Sequence, residues 1–100
     1  MILDVNYEKY LYANIEECLD DVRKELNDRE EEIKDDTFVM IDVICEIDIN
    51  EYSNFDFTIY YDESEAENNI ENIKDRIIDK LEKELKSRVE KWKKAKKRKE

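Results

Sequence analysis

Residues 37–49 read TFVMIDVICEIDI, and the polarity of this stretch switches to a period of two residues. From Ile41 to Ile49 every odd position is apolar, whereas Asp42, Glu46 and Asp48 occupy even positions. A period of two residues is that of a β-strand, in which successive side chains point to opposite faces of the sheet. The stretch therefore predicts a strand with one buried face and one acidic face in water.

A second strand follows at residues 54–62, where Phe55, Phe57, Ile59 and Tyr61 alternate with polar residues. The link at residues 50–54 contains asparagines, which tolerate the positive φ angles of tight turns in a chain that lacks glycine. A hairpin is the natural connection between the two strands. In this register Tyr60 points outward.

Two amphipathic helices flank the hairpin. The first is predicted from Tyr7 to about Lys34, with Asn6 or Asp4 as the N-cap. Its stripe has steps of three and four residues when Arg29 is counted between the last two members, and its apolar residues are Tyr7, Leu11, Ile15, Cys18, Val22, Leu26 and Ile33. The second helix is predicted to open with a capping box between Ser64 and Glu67. Its stripe consists of Ile70, Ile73, Ile77, Leu81, Leu85, Val89 and Trp92.

These elements predict an α+β fold in the order α-β-β-α, with both helices on the odd-numbered face of the hairpin. Two strands alone make a poor sheet. Either residues 1–5 (MILDV) supply a third strand, or two chains pair their edges, and of these we favour the dimer. Residues 1–92 are predicted to form one domain, followed by a basic helical tail at residues 93–100.

Charge is distributed very unevenly along the chain. Residues 1–82 hold 26 acidic and 8 basic residues, a net of −18, whereas residues 83–100 hold 3 acidic and 10 basic residues, a net of +7. Lysines at the end of a helix interact favourably with its dipole and can fold back onto an acidic body. Two alternatives for the tail are contact with an acidic protein partner and nucleic-acid binding with Trp92 as a stacking platform. The net of −18 opposes direct nucleic-acid binding.

Several kinds of chemistry are excluded by what the sequence lacks. Without histidine there is no ordinary general base near neutral pH, and without glycine there is no phosphate-binding loop. Cys18 and Cys45 have no metal-ligand spacing and are predicted to be buried and reduced. We therefore expect no enzyme activity, no cofactor and no metal site. No signal-peptide pattern or long apolar run is present, so we expect no membrane contact and a cytoplasmic location in the host cell.

Ile, Asn, Lys, Tyr and Phe, whose codons are AT-rich, make up 42 of the 100 residues, which indicates a low-GC genome. In size, acidity, coding bias and lack of catalytic apparatus, the chain resembles the small acidic phage-encoded inhibitors, namely anti-CRISPR proteins and DNA mimics. The resemblance is one of composition and includes no motif. It implies a non-catalytic inhibitor whose carboxylates replace phosphates in a basic nucleic-acid-binding enzyme, such as a Cas effector or a restriction-type enzyme. The alternative is a homodimeric assembly module with bipolar charge.

The predicted contact residues are the outward acidic side chains of the first helix and the sheet, together with one outward tyrosine. They are Glu16, Glu17, Asp20, Asp21, Asp28, Glu31, Asp42, Glu46, Asp48, Asp56, Tyr60 and Asp62.

Overall fold

The computed structural model describes residues 1–48 and 51–98, and the side chains of residues 1–6, 14–45, 54 and 56–94. The chain has an α+β fold, as predicted. Its elements in chain order are β1 (Ile2–Tyr10), α1 (Leu11–Asp28), α2 (Glu30–Lys34), β2 (Phe38–Asp48), β3 (Glu51–Tyr60), α3 (Glu63–Asn68) and α4 (Ile70–Arg98).

The three strands form one sheet in the order β1-β2-β3, with β1 parallel and β3 antiparallel to β2. The N-terminal strand, one of the two alternatives for completing the sheet, is therefore present, and it extends to Tyr10 rather than ending at residue 5. Edge pairing between two chains is no longer needed to complete a sheet. Residues 51–54, predicted as a link, belong to β3.

The predicted start of the first helix is wrong. Asp4 and Asn6, the expected N-caps, lie in β1, and the helix begins at Leu11. Strand pairing explains the error, since Ile2 to Tyr7 run in continuous register with Met40 to Cys45. The helix also ends at Asp28, because the backbone of Arg29 leaves helical geometry (φ −112°, ψ 26°) before α2 begins.

The second predicted helix is divided, and its predicted cap is wrong. Asp62 is the N-cap of α3, where its carboxylate accepts from the Glu65 backbone N–H at 2.7 Å and from the Ser64 hydroxyl. The backbone of Asn69 is not helical, and its side chain accepts from the Asn72 N–H at 3.3 Å where α4 starts. The predicted stripe of α4 nevertheless faces the core.

The core lies between the odd-numbered face of the sheet and the helices, as predicted. α1 packs over β1 and β2, and α4 lies beside α1 towards β3, where Lys80 Nζ is 5.2 Å from the centre of the Phe57 ring. Buried apolar residues from the sheet, α1 and α4 meet there, among them Leu3, Cys18, Val22, Leu26, Val39, Ile41, Val43, Cys45, Ile73, Ile77, Leu81 and Leu85. The opposite face of the sheet carries no helix in the described part of the chain.

Candidate functional site: an acidic band around the β1 edge

Three aspartates lie side by side across the outer face of the sheet. Asp4 of β1 is opposite Asp42 of β2, which is in turn opposite Asp56 of β3. Neighbouring strands are ~4.8 Å apart, so the three Cα atoms span roughly 10 Å. Asp4 and Asp56 are exposed and Asp42 is half-buried. We call these residues the aspartate row.

Strand pairing brings two members of the aspartate row especially close. The backbone N–H of Tyr61 donates to the carbonyl oxygen of Thr37 at 3.0 Å, which places the hydrogen-bonded pairs of β2 and β3 at odd-numbered positions. Asp42 and Asp56 therefore form a non-hydrogen-bonded pair, in which side chains approach more closely. Like charges directly opposite one another are destabilising. Folding alone does not favour this arrangement.

A groove beside β1 connects the aspartate row to the first helix. It has a volume of about 420 Å³ and is lined by residues 2–6 of β1 and by Asp21, Val22, Glu25 and Arg29 of the helical layer. Asp4, Asp21 and Glu25 all line this groove. The row and these two α1 residues thus form one continuous surface around the β1 edge, which we call the acidic band.

The packing of α1 explains why its carboxylates reach the groove. Val22 and Leu26 are buried against the sheet, and Asp21 and Glu25 each precede one of them on the helix. That position places both carboxylates at the margin of the helix–sheet interface, and both are exposed. The buried stripe of α1 therefore determines where the acidic side chains emerge.

Arg29 marks one end of the groove. Its Nη1 donates to the backbone carbonyl oxygen of Ile2 at 3.0 Å, and its Nε forms an ion pair with Glu32. The guanidinium therefore covers one backbone acceptor at the edge of β1, a common way of protecting an exposed strand. The remaining charged lining of the groove is acidic.

The structure brings together only part of the predicted contact set. Asp21, Asp42 and Asp56 belong to the acidic band. Glu16, Asp20 and Asp28 are also exposed on α1 and Glu17 is half-buried, but they do not line the groove. The side chains of Glu46 and Asp48 lie outside the described residues.

The other predicted contacts lie away from the band. Glu31 on α2 is 3.8 Å from Lys34 Nζ. Asp62 caps α3, and hydrogen bonds from the Ser64 side chain and the Glu65 backbone hold the pKa of its carboxyl below the ordinary value. Tyr60 points outward as predicted and is 75% exposed, but it sits at the opposite edge of the sheet.

Sequence reasoning missed two residues of the acidic band, Asp4 and Glu25. In the structure Leu3 is buried and Val5 half-buried, while Ile2 and Asp4 are exposed. The sequence of residues 1–5, MILDV, has one polar residue and shows no such alternation. The expectation of a helix cap at Asp4 or Asn6 also left Asp4 out of the predicted contact set. Glu25 could not be distinguished from other outward acids of α1 until the position of β1 was known.

The described side chains at the basic end of α4 do not line the groove of the acidic band. The helix continues to Arg98, and the side chains of Lys91, Lys93 and Lys94 are exposed. Within the described side chains these three lysines form no ion pair with an acidic residue. The role of the tail remains a prediction, and residues 99–100 lie outside the described residues.

Among the described residues, no group of three or more His, Cys, Asp or Glu side chains is placed to hold a metal ion. Cys18 and Cys45 are both buried as predicted, and burial, helped by the neighbouring Cys45, raises the pKa of the Cys18 thiol to about 12. A thiol with that pKa is a poor nucleophile near neutral pH. No helix in the described part of the chain combines the length and apolar character needed to cross a membrane.

Comparisons with protein families, with curated proteins and with solved structures found no match to this chain.

Proposed function

We propose that this protein is a non-catalytic inhibitor that binds a nucleic-acid-processing defence enzyme through the acidic band. One observation carries the proposal: strand register and helix packing join the aspartate row to Asp21 and Glu25 in a single surface. The enzyme class expected is one with a Lys- and Arg-lined nucleic-acid channel, such as a Cas effector or a restriction-type enzyme.

The charge density of the carboxylates and their acceptor chemistry support this proposal. Across the sheet they recur at the ~4.8 Å strand separation, and along α1 Asp21 and Glu25 are one turn apart, a rise of ~6 Å. Duplex DNA presents one phosphate per ~3.4 Å of rise along each strand. Carboxylates and phosphates also accept the same bidentate hydrogen bonds from arginine. A cleft built for phosphates therefore finds similar charge and acceptor chemistry on the acidic band.

The electrostatics of the body favour a protein partner over nucleic acid. A net charge of −18 over residues 1–82 repels phosphates. It attracts a positively charged cleft and accelerates encounter with it.

The test measures displacement of a fluorescent DNA duplex from a guide-loaded Cas effector and from a restriction enzyme, by anisotropy. We expect the wild-type protein to displace the duplex, and raised salt to weaken its binding to the enzyme. The triple variant Asp4→Asn/Asp42→Asn/Asp56→Asn is expected to displace the duplex roughly 3- to 150-fold less well, since each lost charge contact is worth about 0.2–1 kcal/mol.

The matched control removes the same charge from α3 and α4, in the variant Glu67→Gln/Asp79→Asn/Glu90→Gln. These three residues are exposed and lie outside the acidic band. An equal loss in both triple variants would mean that net charge, and not the band, governs binding. Wild-type affinity that does not change with salt would rule out an electrostatic inhibitor.

A homodimeric assembly module is the second candidate, favoured by a different observation. Phe57 and Ile59 of edge strand β3 are only half-buried although they face the helical layer, and α4 exposes lysines at its end. Sedimentation of the purified chain tests this candidate. A dimer that dissociates when salt is raised or when Lys91, Lys93 and Lys94 are changed to Glu would support it, and a monomer throughout would remove it.

A further inference from the structure

The edge of β1 presents backbone groups to the groove. The Met40 N–H donates to the carbonyl oxygen of Met1 at 2.9 Å, which shows that odd-numbered residues of β1 face β2. Since backbone groups alternate along a strand, those of Ile2, Asp4 and Asn6 point to the other side. The contact from Arg29 to the Ile2 carbonyl confirms that direction. In the described sheet no strand lies beyond β1.

We propose that this edge binds an extended segment of the partner protein that contains three consecutive Lys or Arg residues, added as a fourth strand beside β1. The inference rests on the proposed function and deepens it, because it states how the positively charged partner is recognised. Main-chain hydrogen bonds would hold the segment along the edge, as in other cases of strand addition. The carboxylates of the groove would select its side chains.

The spacing of the groove carboxylates fits a strand. Asp21 and Glu25 are separated by four residues of helix, a rise of ~6 Å. Alternate residues of a strand are ~6.6 Å apart on the same face. Two cationic side chains at positions i and i+2 of an added strand can therefore reach both helical carboxylates. The residue between them would lie on the outer face, beside Asp4.

A second copy of this chain is a poor occupant of the groove. Pairing two β1 edges would bring together two copies of Asp4 and of the α1 carboxylates, and like charges facing one another oppose association. The basic end of this chain is also unsuited, because α4 is helical through Arg98 and its backbone groups are used within the helix. Neither objection applies to an extended basic segment of another protein.

The first experiment uses a labelled, end-blocked heptapeptide, Thr-Val-Lys-Lys-Lys-Val-Thr, as the probe for the full-length protein. We expect it to bind at low salt, and a version with serine at the three lysine positions to bind at least about tenfold more weakly. Two further peptides carry N-methyl groups on alternate amides: one on the odd-numbered amides, the other on the even-numbered amides. Only one side of an added strand faces β1, so one of these peptides is expected to lose binding and the other to retain it.

The second experiment changes the groove itself. Asp21→Asn/Glu25→Gln is expected to weaken binding of the trilysine peptide about tenfold. The control Asp20→Asn/Asp28→Asn removes the same charge from the same helix, and less than about a twofold change is expected because these two carboxylates do not line the groove and would not contact the peptide.

A third variant pair addresses the backbone. Asn6→Pro removes an N–H that faces the groove and leaves the bonds to β2 in place, as proline on an edge strand does, while Asn6→Ala keeps that N–H. We expect only the proline variant to lose peptide binding, and thermal unfolding checks that both variants are folded. In the wild-type protein, hydrogen exchange of the Asp4 and Asn6 amides should slow when the peptide is added.

The inference is overturned if the two N-methylated peptides bind equally well, or if the two double variants lose the same affinity. Either result would mean that the peptide binds through diffuse electrostatic attraction and not by strand addition. That failure differs from failure of the proposed function, which is decided by duplex displacement from the enzymes. If the protein displaces the duplex but the peptide does not bind the β1 edge, the inhibitor function is supported and the added fourth strand is rejected.

Discussion

The two faces of β2 differ sharply although their residues alternate along the same stretch of chain. On the inner face Val39, Ile41 and Val43 are fully buried, while on the outer face Ile44 is 46% exposed and Asp42 lies between two other aspartates. Burial of the inner face drives folding. The outer face gathers like charges that oppose folding and carries the aspartate row. The residues that stabilise β2 and the aspartates proposed to bind the partner therefore lie on opposite faces of this strand.

The largest expected difference between the faces is in thiol reactivity. Burial raises the pKa of Cys18 to about 12, so at pH 8 roughly one thiol in 10⁴ is ionised. It also raises the pKa of the Cys45 thiol. In the variant Ile44→Cys, the new thiol on the outer face should have an ordinary pKa near 8.5 and be about one-quarter ionised.

Reaction with a chromogenic disulfide reagent measures this difference. We expect one fast thiol per chain in Ile44→Cys, none in the wild-type protein, and equal rates for all thiols in denaturant. Fast reaction of the wild-type cysteines in the folded protein would contradict the burial of the inner face.

A pair of alanine substitutions compares the faces in free energy. Ile41→Ala removes a fully buried side chain and is expected to lower the free energy of unfolding by about 2–5 kcal/mol. Ile44→Ala, three positions away on the outer face, should lower it by less than about 1 kcal/mol. Urea denaturation measures both values. Equal losses would show that something covers the outer face.

The buried Cys18 thiol and Tyr61 hydroxyl predict that the free energy of unfolding depends on pH. Burial raises the pKa of the Cys18 thiol from 9.0 and that of the Tyr61 hydroxyl from 10.0, each to about 12. The unfolded chain therefore loses these protons at lower pH than the folded chain, so stability is retained below about pH 9 and falls as pH rises towards 12. Urea midpoints should decline over that range. The double variant Cys18→Ala/Tyr61→Phe should show a flatter decline.

The smallest expected effect is a gain in stability on the outer face. Asp42→Asn removes the central charge of the aspartate row and should raise the free energy of unfolding by about 0.2–1 kcal/mol, because repulsion across the strands is relieved. The gain should shrink as salt is added. Asp79→Asn on the exposed side of α4 is the control. A loss of stability in Asp42→Asn would mean that the row is not repulsive.

Local periodicity predicted the alternation of β2, the stripe of α4 and the outward direction of Asp42, Asp56 and Tyr60. It failed for β1, because the spacing of Tyr7, Leu11 and Ile15 also fits a helix. That strand depends on pairing with residues more than thirty positions away. Of the acidic band, Asp21, Asp42 and Asp56 could be named from sequence. Asp4 could not, because its neighbour in space is distant in the chain.

The sequence alone specifies which residues of β2, β3 and the long helices face the core, how acidic the outward faces are, and that the basic residues collect at one end. These properties are set by spacings of two to four residues and by composition. Only the tertiary structure decided that β1 pairs in parallel with β2, that Asp4 stands beside Asp42, and that α1 brings Asp21 and Glu25 to the free edge. Register and helix placement follow from packing between distant segments, which no local pattern specifies.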